Sequence, residues 1–132
     1  MTLGVKAFVT DGDRVLLVRH TYVPGWHLPG GGVERRETVW DAVEKEVREE
    51  TNVRLAGSPL FFGFYKNRRT SPFDHIAMFV CRDWHETGPF EPNREIAQCE
   101  WFATDALPEG TTEATVDRVR EVLGREPPAA HW

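Results

Sequence analysis

The sequence predicts an α/β (α+β) fold in which a mixed central sheet carries helices on both faces. Several short segments alternate apolar and polar residues as strands do, and two uninterrupted segments repeat their apolar residues at the helical period. The chain has 132 residues, of which 40% are hydrophobic and 28% are charged, so it fits one compact domain. We assign this domain to residues 1–126 and expect residues 127–132 to form a short, loosely ordered tail.

The predicted strands are rich in branched and aromatic residues and lie between turn signals. The first two, Leu3–Thr10 and Arg14–Arg19, flank the turn sequence Asp11-Gly12-Asp13, so we expect them to form a hairpin. The later strand segments are Trp26–Leu28, Val53–Tyr65 (one or two strands, interrupted near Gly57), Asp74–Trp84 and Ile96–Phe102.

The first helix is predicted over Thr38–Thr51, which contains no glycine or proline. Thr38 is a suitable N-cap, and Asp41 stands where the capping-box partner belongs. Asn52 follows the helix, and asparagine tolerates the left-handed conformation common at this position. The helical period gives a buried stripe of Val39, Trp40, Val43 and Val47. A second helix is predicted over Thr112–Leu123, with an apolar side of Ala114, Val116, Val119, Val122 and Leu123.

Charge and cysteine usage narrow the classes of function. The formal net charge is -5, which argues against a protein that binds duplex nucleic acid. Cys81 and Cys99 have neither a CxxC nor a zinc-site spacing, so we interpret them as small buried hydrophobic residues, with a disulfide as the alternative. The sequence shows no signal peptide and no apolar segment of membrane-spanning length, so we expect a cytoplasmic protein without a membrane partner.

Three glutamates form the most informative cluster. Glu46, Glu49 and Glu50 are spaced i, i+3 and i+4, so their side chains meet on one side of the first helix, where each like-charged pair costs about 0.2–0.5 kcal/mol. They border the apolar stripe, and carboxylates beside a core need a cationic partner. A hard divalent cation such as Mg²⁺ would provide one. An ordinary solvated acidic face is the alternative.

Upstream residues extend this cluster into a longer pattern. Gly31 lies six residues before Glu37, and Glu37 lies eight residues before Lys45. The whole segment resembles the signature of the Nudix family, G-x5-E-x7-R-E-U-x-E-E-x-G-U, in which U is aliphatic. The family's arginine is Lys45 here, which keeps the charge but loses the bidentate fork, and its second glycine is Asn52. Seven of nine specified positions match, namely Gly31, Glu37, Glu46, Val47, Glu49, Glu50 and Val53.

The resemblance implies a Nudix α/β/α sandwich and assigns roles to these residues. Glu46 and Glu50 would be the principal ligands of Mg²⁺, for which Mn²⁺ can substitute. Glu49 would assist as a ligand or activate water, and the Gly31 carbonyl would be a further ligand. Glu37 would hold the loop against Lys45. Family members often supply another glutamate before the last main strand, for which Glu95 is the candidate and Glu91 and Glu100 are rivals.

The resemblance also implies a reaction, in which activated water cleaves the phosphoanhydride bond of a nucleoside triphosphate or of a nucleoside diphosphate linked to another moiety. The partner is therefore a small nucleotide-type diphosphate, and a homodimer is one possible assembly. A catalytically silent Nudix-fold module that binds nucleotides is the alternative, and an RNA-end hydrolase is a weaker one. Basic side chains should hold the phosphate oxygens, and the candidates are Arg19, Arg68 and Arg69.

Overall fold

A computed structural model of the chain describes residues 2–67 and 73–132, in which eleven helices and strands follow one another. The strands are β1 (Thr2–Val9), β2 (Arg14–His20), β3 (Trp26–His27), β4 (Gly30–Gly32), β5 (Val53–Leu55), β6 (Leu60–Lys66), β7 (Asp74–Cys81), β8 (Trp84–Glu86) and β9 (Ile96–Ala103). The helices are α1 (Val39–Glu50) and α2 (Glu113–Gly124). Neither α1 nor α2 has the length and apolar composition of a membrane-spanning helix.

The central sheet is mixed, as predicted. Its strand order is β4-β1-β7-β6, with β1 parallel to β7 and the other neighbours antiparallel. A second sheet has the order β3-β2-β9, and β5 pairs with β8. Successive residues of β1 show how the helices cover both faces: Ala7 belongs to the core cluster that contains Val43 and Val47 of α1, whereas Phe8 packs in the cluster that contains Val119 of α2.

Two strand predictions are wrong. The expected hairpin is reduced to one bridge between Thr10 and Val15. Beyond this bridge β1 and β2 belong to different sheets. The reason is that β1 already has β4 on one edge and β7 on the other. The segment Asp74–Trp84 is not one strand either, because β7 ends at Cys81 and β8 pairs instead with β5 outside the central sheet. The segment 53–65 does form two strands, β5 and β6.

Both cysteines are free. Cys81 is buried in β7 and Cys99 is half-buried in β9, and both pack in the core cluster on the α1 side of the sheet. Burial raises the pKa of each thiol to about 12. Their interpretation as small core residues is therefore confirmed.

Helix α1 begins as predicted but buries a different set of residues. Thr38 accepts a hydrogen bond from the Asp41 N–H, and the Asp41 carboxylate accepts one from the Thr38 N–H, which completes the capping box. The inner face is formed by Ala42, Val43 and Val47. Trp40 does not belong to this stripe, since it is 47% exposed and meets Phe79 edge-on at 4.6 Å between ring centroids.

The end of α1 also differs from the prediction. Asn52 has no left-handed backbone; among the described non-glycine residues, only Arg125 has a positive φ. The helix ends instead at Thr51, which is extended at φ -134° and whose hydroxyl donates to the Val47 carbonyl. The Asn52 amide donates to the Gly88 carbonyl at 2.6 Å. Asn52 therefore connects the end of α1 to the loop at Gly88 by a side-chain hydrogen bond.

Helix α2 and the tail are more closely joined than the sequence predicted. Val119 and Val122 are buried as expected, but Val116 and Leu123 are largely exposed, and polar residues share the inner face of α2. The tail is not loose, because its backbone runs beside β6: the Lys66 N–H donates to the Ala130 carbonyl at 2.8 Å, and the Trp132 N–H donates to the Lys66 carbonyl at 3.0 Å.

Candidate active site

Two glutamates of α1 lie against the glycines of β4. The Gly30 N–H donates to Glu50 Oε1 at 3.1 Å. A Cβ atom at Gly31 would lie 2.6 Å from the Glu46 carboxyl group, so a larger residue here would push that carboxylate away from the β4 backbone. The arrangement brings Gly31, Glu46 and Glu50, three of the predicted metal ligands, into one site.

These two carboxylates are held in a setting that disfavours their negative charge. Glu50 is only 4% exposed, and its burial, with Glu46 and Glu95 nearby, raises its pKa to about 7 although Gly30 and Lys6 act in the opposite direction. Desolvation, followed by the charge of Glu49, raises the pKa of Glu46, with Lys45 opposing the shift. Part of the negative charge at this site is therefore left uncompensated by the protein.

Glu49 and Glu95 lie close enough to this pair for their charges to act on it. Glu49 is exposed on α1. Glu95 belongs to the loop before β9, where its carbonyl accepts from the Thr21 N–H at 2.9 Å and its own N–H donates to Asn93 Oδ1 at 2.9 Å. The charge of Glu95 contributes to the raised pKa of both Glu46 and Glu50. Of its two rivals, Glu100 lies within β9 opposite Leu17, and Glu91 is exposed in the preceding loop.

Lys45 on α1 holds the preceding loop through ion pairs with two glutamates. Lys45 Nζ lies 2.8 Å from Glu37 Oε2 and 3.6 Å from Glu34 Oε1. The hydrogen bond from Lys45 holds the pKa of Glu37 below its usual range, and Glu37 in turn raises the pKa of Lys45. Glu37 and Lys45 thus make the contact that the resemblance implies, through a single ammonium group instead of the two-pronged contact of arginine.

The predicted phosphate-binding arginines are less informative. Arg19 Nη1 donates to Gln98 Oε1 at 2.9 Å, and its guanidinium lies 5.5 Å from the centroid of the Trp26 ring. These contacts are with neighbouring strands and not with the acidic residues of α1. Arg68 and Arg69 lie outside the described residues. The role of all three arginines stays a prediction.

Sequence reasoning missed two basic side chains beside the acids. Lys6 Nζ donates to the Leu28 carbonyl at 3.1 Å, and burial lowers the pKa of Lys6 against the pull of Glu50 and Glu46. Within the part of the chain that the structure describes, the buried Nδ1 of His20 has no hydrogen-bond partner. Desolvation, Lys6 and His27 lower the pKa of His20, while Glu95 opposes them. A lone lysine within an apolar central strand was the available signal for Lys6.

The donor set fits a hard divalent cation. Glu46 and Glu50 offer carboxylate oxygens at a site where burial and neighbouring glutamates raise both pKa values, and Gly31 brings backbone against Glu46. Oxygen ligands of this kind are those that Mg²⁺ prefers. Within residues 2–67 and 73–132, no group of three or more His, Cys, Asp or Glu side chains is already arranged as a metal cluster.

Comparison with known proteins identifies the family. The NUDIX domain model matches residues 1–122. The chain is 35% identical over 113 residues to the NAD-capped RNA hydrolase NudC of Pseudomonas aeruginosa, an alignment that spans 83% of this chain but only 39% of that protein. A MutT NUDIX hydrolase from Burkholderia pseudomallei has a similar structure, with a TM-score of 0.74, 25% identity, and coverage of 92% of this chain and 97% of that one. An ADP-ribose pyrophosphatase from Streptococcus suis gives a TM-score of 0.70 at 26% identity, covering 99% and 95%. Together with the glycine–glutamate site on α1, these matches establish that the chain belongs to the Nudix hydrolase family.

Proposed function

We propose that this protein hydrolyses a phosphoanhydride bond in a small nucleotide-type diphosphate, with the help of Mg²⁺ or Mn²⁺. The observation that carries the proposal is the pairing of Glu46 and Glu50 against the glycines of β4, where both carboxylates have raised pKa values. A solvated acidic helix face would not bury Glu50 to 4% exposure or direct a backbone N–H to it. Such a site is stabilised by a ligand that brings positive charge.

Each residue then has a defined task. Glu46 and Glu50 would hold the cation, with Glu49 and the Gly31 carbonyl as further ligands. When bound, the cation supplies charge neutralisation on the phosphate oxygens and a lowered pKa for the attacking water. Glu49, Glu50 and Glu95 are the candidates to accept the proton of that water at a carboxylate oxygen.

Basic side chains would bind the diphosphate itself. Lys6 lies close enough to Glu46 and Glu50 for their charges to act on its pKa, so a phosphate held beside the cation would lie near its ammonium group. Arg19, Arg68 and Arg69 remain candidates for the outer phosphate oxygens. Charge-assisted hydrogen bonds of this kind are about twice as strong as neutral ones.

For the substrate, we propose a nucleoside diphosphate linked to a second group. The NudC relative is named for NAD-capped RNA, and the Streptococcus suis protein for ADP-ribose. Both names point to a diphosphate that joins adenosine to another moiety. Because this chain spans about two-fifths of the NudC relative, we carry over only the bond type.

The test is a turnover assay with matched variants. NAD, ADP-ribose and the four nucleoside triphosphates would be incubated with Mg²⁺, with Mn²⁺ and with a chelator, and products identified by mass. We expect cleavage only with metal and a loss of roughly 10²–10⁴-fold in Glu50→Gln. Glu44→Gln is the control, since Glu44 lies on the same helix in an exposed pair with Arg48 at 2.9 Å.

Two outcomes would contradict the proposal. If Glu50→Gln and Glu44→Gln turn over substrate equally fast, Glu50 does not hold the cation. If the protein binds nucleotides but cleaves none with either metal, it is the catalytically silent module instead. A cytoplasmic location and a homodimer also remain proposals. Cell fractionation would test the location, and sedimentation of the full chain would test the homodimer.

A further inference from the structure

A cavity lies on the α2 side of the central sheet, close to the acidic site. Its volume is about 270 Å³, and Trp132 and Ile76 form apolar parts of its wall. It shares Lys6, Asn67 and Ile76 with a second cavity of about 340 Å³, which reaches Gly31. Gly31 lies against the Glu46 carboxylate, so the second cavity borders the acidic site and shares part of its wall with the cavity that contains Trp132.

Trp132 is held in this wall by its own backbone and by aromatic contacts. Its N–H donates to the Lys66 carbonyl at 3.0 Å. Its ring meets Tyr65 edge-on, with 5.2 Å between centroids. The Arg118 guanidinium lies 4.9 Å from the Trp132 ring and 4.3 Å from the Tyr65 ring. The indole is therefore placed in the cavity wall before any ligand arrives.

A buried polar network beneath the tail fixes this placement. One oxygen of the Glu121 carboxylate accepts from the Tyr65 hydroxyl at 2.7 Å. The other accepts from Arg118 at 2.9 Å and from the Ala129 N–H at 3.2 Å. Arg118 also donates to the His131 carbonyl at 3.4 Å. A buried ion pair is weak evidence for stability alone, whereas contacts that select one path of the tail give it a positioning role.

We propose that Trp132 is the stacking surface for the planar base of the nucleotide substrate, and that the Arg118–Glu121 pair positions it. The aromatic ring of Trp132 and the side chain of Ile76 give this cavity an apolar part of its wall, and Lys6 gives it a cationic part, a combination that suits a planar ring joined to a phosphate. Stacking of a base on an aromatic side chain tolerates every base, since all of them have a π-face. The kinetic part of this inference rests on the proposed function, whereas the binding part does not.

The binding test uses tryptophan fluorescence without turnover. AMP, CMP, GMP and UMP would be titrated into the full chain, with ribose 5-phosphate as the ring-free probe. We expect at least one nucleotide, but not ribose 5-phosphate, to quench the emission, and we expect Trp132→Phe to lose that quenching. Trp40→Phe is the matched control, because Trp40 is exposed on α1 against Phe79. Quenching by none of the four nucleotides, or equal quenching in Trp132→Phe, would overturn the proposal.

The kinetic test separates positioning from stability. Trp132→Ala should raise KM for the preferred substrate about tenfold with little change in kcat, because a lost stack weakens ground-state binding. Glu121→Gln keeps an acceptor for Tyr65 but loses the charge facing Arg118, so its KM should rise less and kcat should hold. An unchanged KM in Trp132→Ala overturns the stacking role, and a Glu121→Gln variant with lower thermal stability but wild-type KM overturns the positioning role. Nucleotide quenching without turnover would instead contradict the proposed function and leave this inference standing.

Discussion

Each helix of this chain buries one glutamate, and the two carboxylates have contrasting surroundings. Glu121 on α2 is 2% exposed and accepts hydrogen bonds from Arg118, Tyr65 and Ala129. Glu50 on α1 is 4% exposed and accepts one from the Gly30 N–H, and burial, with the charges of Glu46 and Glu95, raises its pKa despite the opposing charge of Lys6. The buried charge of Glu121 is compensated within the fold, whereas that of Glu50 is compensated only in part.

This difference separates a carboxylate that serves the fold from one that serves a ligand. Removing a partner from a compensated buried charge leaves the remaining group without solvent or counter-charge. Removing the charge of an uncompensated carboxylate relieves repulsion and desolvation. The same chemical change should therefore have opposite effects on stability in the two helices, and each of the following predictions tests that contrast.

The largest expected effect is on α2. Glu121→Ala leaves the Arg118 guanidinium buried and unpaired, so we expect the free energy of unfolding to fall by about 3–5 kcal/mol. Urea unfolding of the metal-free protein would measure this. Glu126→Ala is the control, because Glu126 is exposed in a pair with Arg120 at 3.4 Å and its loss should change stability by less than about 0.5 kcal/mol. Equal effects of the two substitutions would show that the buried pair contributes nothing beyond a surface pair.

The next effect concerns the cation that the glutamates of α1 are proposed to bind. When the concentration of free Mg²⁺ or Mn²⁺ is one hundred times the Kd for that metal, the free energy of unfolding of the wild-type chain should rise by about 2.7 kcal/mol, because the metal binds only the folded state. Glu50→Gln should lose most of this gain, whereas Glu121→Gln should keep it. Thermal unfolding over a metal titration, with a chelator as baseline, gives the result. If Glu50→Gln gains as much as the wild type, the cation binds elsewhere.

The contrast also shows which features can be predicted from sequence. The acidic cluster of α1 is local, since Glu46, Glu49 and Glu50 lie within two turns of one helix, and the gapped signature identifies their purpose. The Glu121 network is not local, because Tyr65 lies 56 residues away along the chain. No sequence periodicity indicates a contact between Tyr65 and Glu121. For this reason residues 127–132 were predicted to be loosely ordered, and polar residues were not assigned to the inner face of α2.

The strands show the same limit. Their positions follow from alternation, yet their partners depend on which edges are free, so the hairpin between β1 and β2 was predicted where β4 and β7 already occupy β1. Lys6 reaches the acidic site only because β1 pairs with β4. The roles of Glu95 and Arg19 stay predictions, since each depends on how a bound substrate lies.

A smaller effect should appear in the pH dependence of stability without metal. The folded-state pKa of Glu50 is raised to about 7 from 4.5, so the folded protein takes up this proton more readily than the unfolded chain. The contribution of Glu50 to the free energy of unfolding is therefore fully present below about pH 4.5 and is lost as the pH rises from about 4.5 through 7. We expect Glu50→Gln to be more stable than the wild type at pH 8, by on the order of 1–2 kcal/mol, and to lose this advantage near pH 5.

Urea unfolding at both pH values, in the presence of a chelator, would measure this difference. Glu44→Gln serves as the control, since Glu44 forms an exposed pair with Arg48 and its substitution should give no comparable advantage at pH 8. A Glu50→Gln variant that is destabilised at pH 8 would mean that Glu50, like Glu121, is compensated within the fold.

The smallest effect concerns the position where α1 departs from the family signature. Asn52→Gly restores the usual glycine, but the backbone here is not left-handed, so glycine gains no conformational advantage. The substitution removes the hydrogen bond from the Asn52 amide to the Gly88 carbonyl, and we expect a loss of about 0.5–1.5 kcal/mol in the free energy of unfolding. Asn52→Ala, which lacks the amide but adds no backbone freedom, should lose slightly less. If Asn52→Gly instead stabilises the chain, the helix end prefers the left-handed form, and the tie to Gly88 is dispensable.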